Sequence, residues 1–239
     1  MMLPEQQRRR RHFHDELDAL QDKLLEMAGI VEELVRVSVQ ALERRDPKPS
    51  AWVEAQDDRV DELEIEIDER AMELLALQQP MARDLRQVVA TLKVANDLER
   101  VGDHAVNIAK AVRRLAEAPA FPAIPEVPEM AGIARGMLGD ALAAFVSRNP
   151  VSARVVCERD DKVDNLRASL FRILLTHMLE EPRRITPALE LLLISQNLER
   201  IADLSTNIAE DVVFLVEGQT IKHSPDKVSP DDDDEPQGR

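Results

Sequence analysis

The sequence NDLERVGDHAVNIAK, residues Asn96–Lys110, has a second copy one hundred residues later, QNLERIADLSTNIAE at Gln196–Glu210. Seven of the sixteen aligned positions from residue 95 onward are identical, and they include the glutamates Glu99 and Glu199. An internal repeat of this kind is typical of a duplicated structural unit. The two copies therefore predict an architecture of two similar halves.

Each copy contains a glutamate followed four positions later by an aspartate: Glu99 and Asp103, and Glu199 and Asp203. On a helix these positions lie on one face, about 5–6 Å apart at Cβ, so the two carboxylates repel each other unless a cation lies between them. The glutamate falls among the apolar positions that would face the core, where a carboxylate needs a partner. The residue three positions later is small, Gly102 or Ala202, and leaves room for another group to approach.

The composition favours a helical protein and excludes several functional classes. The 239 residues are 44% apolar and 32% charged, with seven glycines and no tyrosine, and apolar residues rarely alternate at the spacing of a strand. The net charge of −15 argues against nucleic-acid binding. One cysteine excludes an internal disulfide framework, and no window of eighteen apolar residues or signal peptide is visible. We therefore expect a cytoplasmic protein without direct membrane insertion.

Apolar residues spaced three and four apart predict six helices, at about residues 15–45, 50–78, 84–115, 129–148, 152–180 and 186–217. Prolines recur at three-residue spacing between helices three and four, which indicates an extended connection. The predicted fold is all-α, with two pseudo-symmetric three-helix bundles, six antiparallel helices in all, and a disordered acidic C-terminal tail. The predicted parts are a first bundle at 1–116, a Pro-rich linker at 117–128, a second bundle at 129–217 and the tail at 218–239.

Helices two and five each add a further carboxylate pair at the same four-residue spacing. Because short loops make consecutive helices antiparallel neighbours, these pairs face the pairs of the repeat and form a four-carboxylate site in each half. The predicted metal ligands are Asp57, Asp61, Glu99 and Asp103 in the first half and Asp160, Asp164, Glu199 and Asp203 in the second. Ligands of carboxylate type favour Mg²⁺, Ca²⁺, Mn²⁺ or iron over structural zinc.

Two other interpretations of these carboxylates remain open at this point. In a metal-free helical scaffold they would form a solvated acidic face, neutralised by Arg59, Arg100, Lys162 and Arg200. A carboxylate-bridged hydrolase or oxidase is the enzymatic alternative, although the Glu-x-x-His pairs of di-iron enzymes are missing. His104 is an occasional extra ligand or, more often, a polar residue at the bundle edge. The halves also differ, because Glu64 corresponds to Arg167, and this favours a larger cluster in the first half.

Three further features of the sequence form a specific combination: HFHDELDALQDKLLEMA at 12–28, QPMARDLRQ at 79–87, and the paired signatures DLERVGDHAVNIA and NLERIADLSTNIA. Together they resemble the PhoU family of phosphate-uptake regulators. The resemblance covers nearly the whole chain to about Gly218, although EEPRRITPALE at 180–190 lacks the Asp-Leu-Arg turn of the first half. It implies two three-helix bundles related by a pseudo-twofold axis, and metal clusters on the Glu/Asp-x-x-x-Asp motifs, at the eight positions given above.

The role that this resemblance implies is regulatory rather than enzymatic. A PhoU-like protein would be a cytoplasmic adaptor that negatively regulates the phosphate-starvation response and phosphate uptake. It would contact the ATPase of the phosphate ABC transporter and a phosphate-sensing histidine kinase at the inner face of the membrane, and we expect a homodimer. The acidic tail is not part of the family pattern.

Overall fold

The computed structural model describes residues 4–78 and 80–221, with side chains from residue 12 onward, and this part of the chain is helical without a strand. The elements are α1 (Pro4–Arg44), α2 (Ser50–Gln78), α3 (Arg83–Glu117), α4 (Glu126–Ser147), α5 (Pro150–Cys157), α6 (Asp160–Glu180), a 3₁₀ turn (Pro182–Arg184) and α7 (Ile185–Glu217). The predicted all-α class and six-helix plan are confirmed, with α5 and α6 in place of the fifth helix. The predicted acidic tail lies outside the described residues from residue 222 onward.

The helices form two bundles around one continuous apolar core. Helices α1, α2 and α3 pack together in the first half, and α4, α5, α6 and α7 in the second. Leu34, Leu63 and Leu98 are fully buried in the first bundle, and Met137 and Leu170 in the second. The apolar residues of both bundles belong to one contact cluster, because α3 packs extensively on α7 and α1 also touches α4.

The centre of the molecule is the pair formed by α3 and α7. Three polar contacts join these helices: Lys93 Nζ to Asp211 Oδ1 at 3.0 Å, His104 Nδ1 to Asn197 Oδ1 at 2.9 Å, and Arg114 Nη2 to Glu190 Oε2 at 2.8 Å. Residue numbers rise along α3 as they fall along α7, so the two helices run antiparallel. Between these contacts lie Val101 and Ile201, which occupy matching positions of the repeat and are both fully buried.

The predicted fifth helix is interrupted, and in this detail the sequence prediction was wrong. The chain leaves the α-helix at Glu158 and Arg159, where the Arg159 N–H bonds to the Val156 carbonyl at 3.0 Å in a tighter turn. The Arg159 guanidinium pairs with Asp140 of α4 and occupies space that a Cβ at Gly136 would fill. This tertiary contact favours the break, which places Asp160 in the first turn of α6.

Two boundaries also differ from the sequence prediction. Helix α1 begins at Pro4 rather than near residue 15, and the buried Phe13 extends its apolar face by a turn. The proline-rich connection, 118–125 in the structure, packs onto the bundle, since Phe121 is buried and its carbonyl accepts a bond from Arg45 at 3.1 Å. A connection anchored in this way holds the two halves in a fixed relation.

Helix α4 is, within the described residues, the one helix long and apolar enough to cross a bilayer. Half of its apolar window is buried inside the protein, and α4 packs chiefly against α7. Core helices of globular proteins pass the same test of length and composition. The apolar character of α4 is therefore accounted for by its packing.

Candidate metal centre

Helices α2 and α3 bring four of the predicted ligands together, which we call the first carboxylate group: Asp57, Asp61, Glu99 and Asp103. Asp57 and Glu99 are half-buried between the helices, whereas Asp61 and Asp103 are exposed at the edge of the contact. A Cβ built on Gly102 would lie 2.7 Å from Asp57 Oδ1, so the missing side chain of this glycine provides the space that the Asp57 carboxylate occupies. The small residue in the signature therefore admits a carboxylate from the neighbouring helix.

Burial, together with the charges of neighbouring carboxylates, raises the pKa of three members of this group, Asp57, Asp61 and Glu99. Burial raises the pKa of Asp57 to about 6, with a further contribution from the negative charges of Asp103 and Asp61. Burial raises the pKa of Glu99 to about 7, and the charges of Asp103 and Glu64 add to the effect. Burial and the charge of Asp103 likewise raise the pKa of Asp61. The first carboxylate group therefore concentrates negative charge that the folded protein does not fully compensate.

Among the described residues, no arginine, lysine or histidine lies within salt-bridge distance of the first carboxylate group. Arg100 and Lys110 of α3 lie instead 3.8 Å from Asp97 and from Glu54, although the charge of Lys110 still opposes the rise in the pKa of Asp57. No three Asp, Glu, His or Cys side chains in the described ranges converge on one point at metal-ligand spacing. Mutual repulsion favours separated carboxylates where no cation lies between them.

The chemistry of these donors fits a hard metal ion, although their spacing in the structure is wider than that of bound ligands. The donors are carboxylate oxygens, they are partly removed from water, and no cationic side chain of the described residues forms a salt bridge with them, while Gly102 provides the space for Asp57 beside α3. A divalent or trivalent ion bound there would supply the missing positive charge, and oxygen-only donors suit magnesium, manganese or iron. The residues that would hold it are the four carboxylates of the group, with Glu64 close enough to influence Glu99.

The remaining predicted ligands form the second carboxylate group on α6 and α7: Asp160, Asp164, Glu199 and Asp203. Here two arginines lie among the acids. Arg167 Nη1 donates to Glu199 Oε1 at 3.2 Å, and Arg200 Nη1 donates to Asp203 Oδ2 at 2.9 Å. Glu199 is 9% exposed, and burial and the charge of Asp203 raise its pKa while Arg167 and Arg200 oppose the increase.

An open groove of 730 Å³ runs beside the second group, between α6 and α7. Arg167, Phe171 and Arg172 of α6 and Gln196 of α7 line it, together with carboxylates of the group. The residue of α2 that corresponds to Arg167 is Glu64. The two halves thus present similar backbones with opposite charge at one important position.

One residue of this region was missed by the sequence interpretation. Asp97 is only 8% exposed and attracts Arg100, although it lies two positions before the signature glutamate and was assigned no role. His104, considered as an occasional ligand or a polar residue at the bundle edge, bonds to Asn197 across the α3–α7 contact. The difference between Asp97 and Asn197 in the aligned repeats was the signal available in the sequence.

Comparison with known proteins identifies the family. Residues 24–112 and 127–212 each match the PhoU domain. The chain belongs to the PhoU family. The phosphate-specific transport system accessory protein PhoU homolog of Clostridium acetobutylicum is 36% identical over 213 residues, which are 89% of this chain and 97% of that protein. The homolog from Rhizobium meliloti is 39% identical over 208 residues, which are 86% of this chain and 87% of that protein.

Solved PhoU structures have the same fold. The crystal structure of PhoU from Pseudomonas aeruginosa is similar at a TM-score of 0.84 and 36% identity, over 87% of this chain and 100% of the other. The phosphate transport system regulatory protein PhoU from Streptococcus pneumoniae is similar at 0.81 and 29% identity, over 87% and 99%. The resemblance seen in the sequence is confirmed, and so is the non-enzymatic interpretation, because these PhoU relatives are named as accessory or regulatory proteins.

The role of Gly102 gives a first prediction. Gly102→Ala is expected to weaken metal binding at the first carboxylate group by about tenfold, because the added methyl displaces the Asp57 carboxylate. Thermal stability should change little, since alanine favours the helix by about 1 kcal/mol and offsets the steric cost. Equilibrium dialysis against Mn²⁺ and thermal unfolding followed by circular dichroism measure the two effects.

Gly132→Ala is the matched control, because a Cβ at Gly132 of α4 would meet no atom within 4 Å. This variant should gain stability and bind Mn²⁺ as the wild type does. Equal Mn²⁺ binding by the Gly102 and Gly132 variants would show that the space beside Asp57 does not matter for the ion.

Proposed function

We propose that this PhoU protein is a metal-binding cytoplasmic adaptor that represses the phosphate-starvation response when phosphate is plentiful. It would link the ATPase of the phosphate ABC transporter to a phosphate-sensing histidine kinase and act as a homodimer. The match of both repeats to the PhoU domain carries the proposal, since relatives matching most of the chain are named as accessory proteins of phosphate-specific transport.

The distribution of exposed apolar side chains supports an adaptor with two partners. Met72 and Leu77 lie near the end of α2 and Met81 lies in the α2–α3 connection, where it is 80% exposed. Leu175 and Leu179 lie near the end of α6, before the α6–α7 connection, and Leu179 is 79% exposed. Because α3 and α7 run antiparallel, these two surfaces lie at opposite ends of the central helix pair. Large exposed apolar side chains at these ends are available to contact partner proteins.

Deletion of the gene in the native host tests the regulatory role. In phosphate-rich medium the deletion strain is expected to express a phosphate-starvation reporter that the parent strain represses, and a plasmid copy of the wild-type gene should restore repression. Met81→Asp and Leu179→Asp should each fail to restore it while folding normally, because a charge on an exposed apolar surface impairs docking but not the core. A deletion strain that still represses the reporter would rule out the proposed role.

Metal binding is tested separately, by elemental analysis of protein purified without a histidine tag and passed through gel filtration. The wild type is expected to retain one or more ions per chain, and the Asp57→Asn/Glu99→Gln variant should lose those of the first carboxylate group. If wild type and variant are equally empty, the metal part of the proposal is wrong. The regulatory part would then depend on the helix surfaces alone.

A further inference from the structure

The two carboxylate groups occupy matching places in the repeat but differ in their counter-ions. In the second group Arg167 of α6 reaches across to Glu199 of α7, which is nine-tenths buried. The corresponding position of α2 is Glu64, so the first group has an additional acid where the second has a guanidinium. One substitution between the halves therefore changes the local charge by two units.

A second difference, in the orientation of the signature arginine, also adds positive charge to the second group and not to the first. The signature arginine, Arg100 or Arg200, is present in both copies. In the first half Arg100 lies 3.8 Å from Asp97, one turn back along α3, and away from the carboxylate group. In the second half that position is the uncharged Asn197, and Arg200 turns forward to bond Asp203, with its Nε 3.8 Å from Glu199 Oε2.

The helix break supplies a third difference. Asp160 lies in the first turn of α6, where the partial positive charge of a helix N-terminus stabilises a carboxylate. Asp57, its counterpart, lies in the interior of the uninterrupted helix α2 and receives no such stabilisation. All three differences compensate more negative charge in the second group than in the first, where the charge of Lys110 opposes the rise in the pKa of Asp57. The compensation in the second group depends on one oxygen of Glu199, because the buried Oε2 has no hydrogen-bond partner among the described residues.

We propose that Arg167 and Arg200 take the place of a metal ion in the second carboxylate group, so that metal binding by this protein is confined to the first group. An ion approaching Glu199 would have to displace a hydrogen-bonded guanidinium and would be repelled by both arginines. The residues of the second half therefore do not fit the metal cluster that the family pattern implies for them. This inference rests on the metal binding proposed for the first group. A measurement of thermal stability on metal-free protein tests the role of Arg167 independently of that proposal.

The first test is equilibrium dialysis of the full chain against Mn²⁺. The wild type is expected to bind Mn²⁺, and the Asp57→Asn/Glu99→Gln variant to bind none. Mn²⁺ that this variant retains and that a further Glu199→Gln substitution removes would place an ion in the second group and overturn the inference.

A gain of binding is the stronger form of this test. Arg167→Glu gives α6 the residue that α2 has at this position, and in the Asp57→Asn/Glu99→Gln chain it should create a site for about one Mn²⁺. Arg172→Glu adds the same charge to the same groove without touching Glu199, and should bind none. Equal binding by the two variants would show that Arg167 is not the residue that excludes the ion.

The second test needs no metal. In EDTA, Arg167→Gln is expected to lower the melting temperature by about 3–6 °C, because it removes the hydrogen-bonded counter-ion of the buried Glu199. Arg172→Gln, an exposed arginine of the same groove, should melt within about 1 °C of the wild type. If both variants melt as the wild type does, Arg167 does not compensate Glu199 and the inference fails. If the wild type binds no Mn²⁺ but Arg167→Gln is destabilised, the proposed metal binding fails and the compensation by arginine stands.

Discussion

Lys93→Met is expected to lower the free energy of unfolding by about 3 kcal/mol and the melting temperature by roughly 6–12 °C. Lys93 Nζ lies 3.0 Å from Asp211 Oδ1, and Asp211 is only 2% exposed. Removing the lysine leaves a buried carboxylate without its counter-ion, which costs far more than the loss of a surface pair. The substitution also removes the contact of the ammonium group with the Phe214 ring, 5.0 Å from its centroid. Chemical denaturation and calorimetry measure both quantities.

Lys162→Met is the matched control for this prediction. Lys162 pairs with Glu129 at 3.0 Å, but both side chains are about half exposed, at 61% and 49%. The change in unfolding free energy should stay within about 0.5 kcal/mol. Adding Asp211→Asn to Lys93→Met should recover much of the lost stability, because the unpaired charge is then gone. A Lys93 variant as stable as the Lys162 variant would mean that Asp211 is compensated by other groups.

The metal-free protein is expected to lose stability as pH rises from about 4 to about 8. The pKa of Asp57 is raised from 3.8 to about 6 and that of Glu99 from 4.5 to about 7. At pH values between the unfolded and the folded pKa of each group, the folded protein binds more protons than the unfolded chain, so unfolding becomes easier as pH increases. The contribution of these groups is present below pH 4 and is lost above pH 7. Thermal unfolding in EDTA across this range measures the slope.

Glu99→Gln should raise the melting temperature at pH 8 by roughly 4–8 °C and make the pH dependence shallower. The gain corresponds to about 2 kcal/mol once screening by solvent is allowed for, because a neutral amide is less costly to bury than a carboxylate and no longer repels Asp103 and Glu64. Glu69→Gln, at an exposed position of α2, should leave both the melting temperature and the slope unchanged. A Glu99 variant less stable than the wild type at pH 8 would show that the carboxylate is compensated within the folded protein.

The repeated signature was sufficient to predict the helical class, the duplication and the pairing of α2 with α3 and α6 with α7. Each of these depends on local periodicity or on the repeat itself, and both are visible in one sequence. The prediction of a small residue that admits another group was also useful, since Gly102 makes room for Asp57. Whether the predicted ligands bind metal remains a prediction for the experiments above.

Features that depend on tertiary contacts could not be predicted in the same way. The apolar pattern around Glu158 and Arg159 suits a continuous helix, yet the helix is broken at these residues. The break accompanies an ion pair between Arg159 and Asp140 of α4. The different orientations of Arg100 and Arg200 likewise depend on Asp97 and Asn197, which matter only once the fold brings the charges together. The spacing of apolar residues indicates which face of a helix is buried, but it does not indicate which carboxylate an arginine pairs with.

The antiparallel contact of α3 with α7 has the symmetry of a homodimer interface within a single chain. The two halves present related helices to each other, with Val101 and Ile201 at matching buried positions, as in a twofold interface. The polar contacts break this symmetry, because the repeat counterparts of Lys93 and Asp211 are Leu193 and Ala111. An α3–α3 or α7–α7 contact would lack this ion pair, so the contact distinguishes the two halves and favours their pairing within the chain.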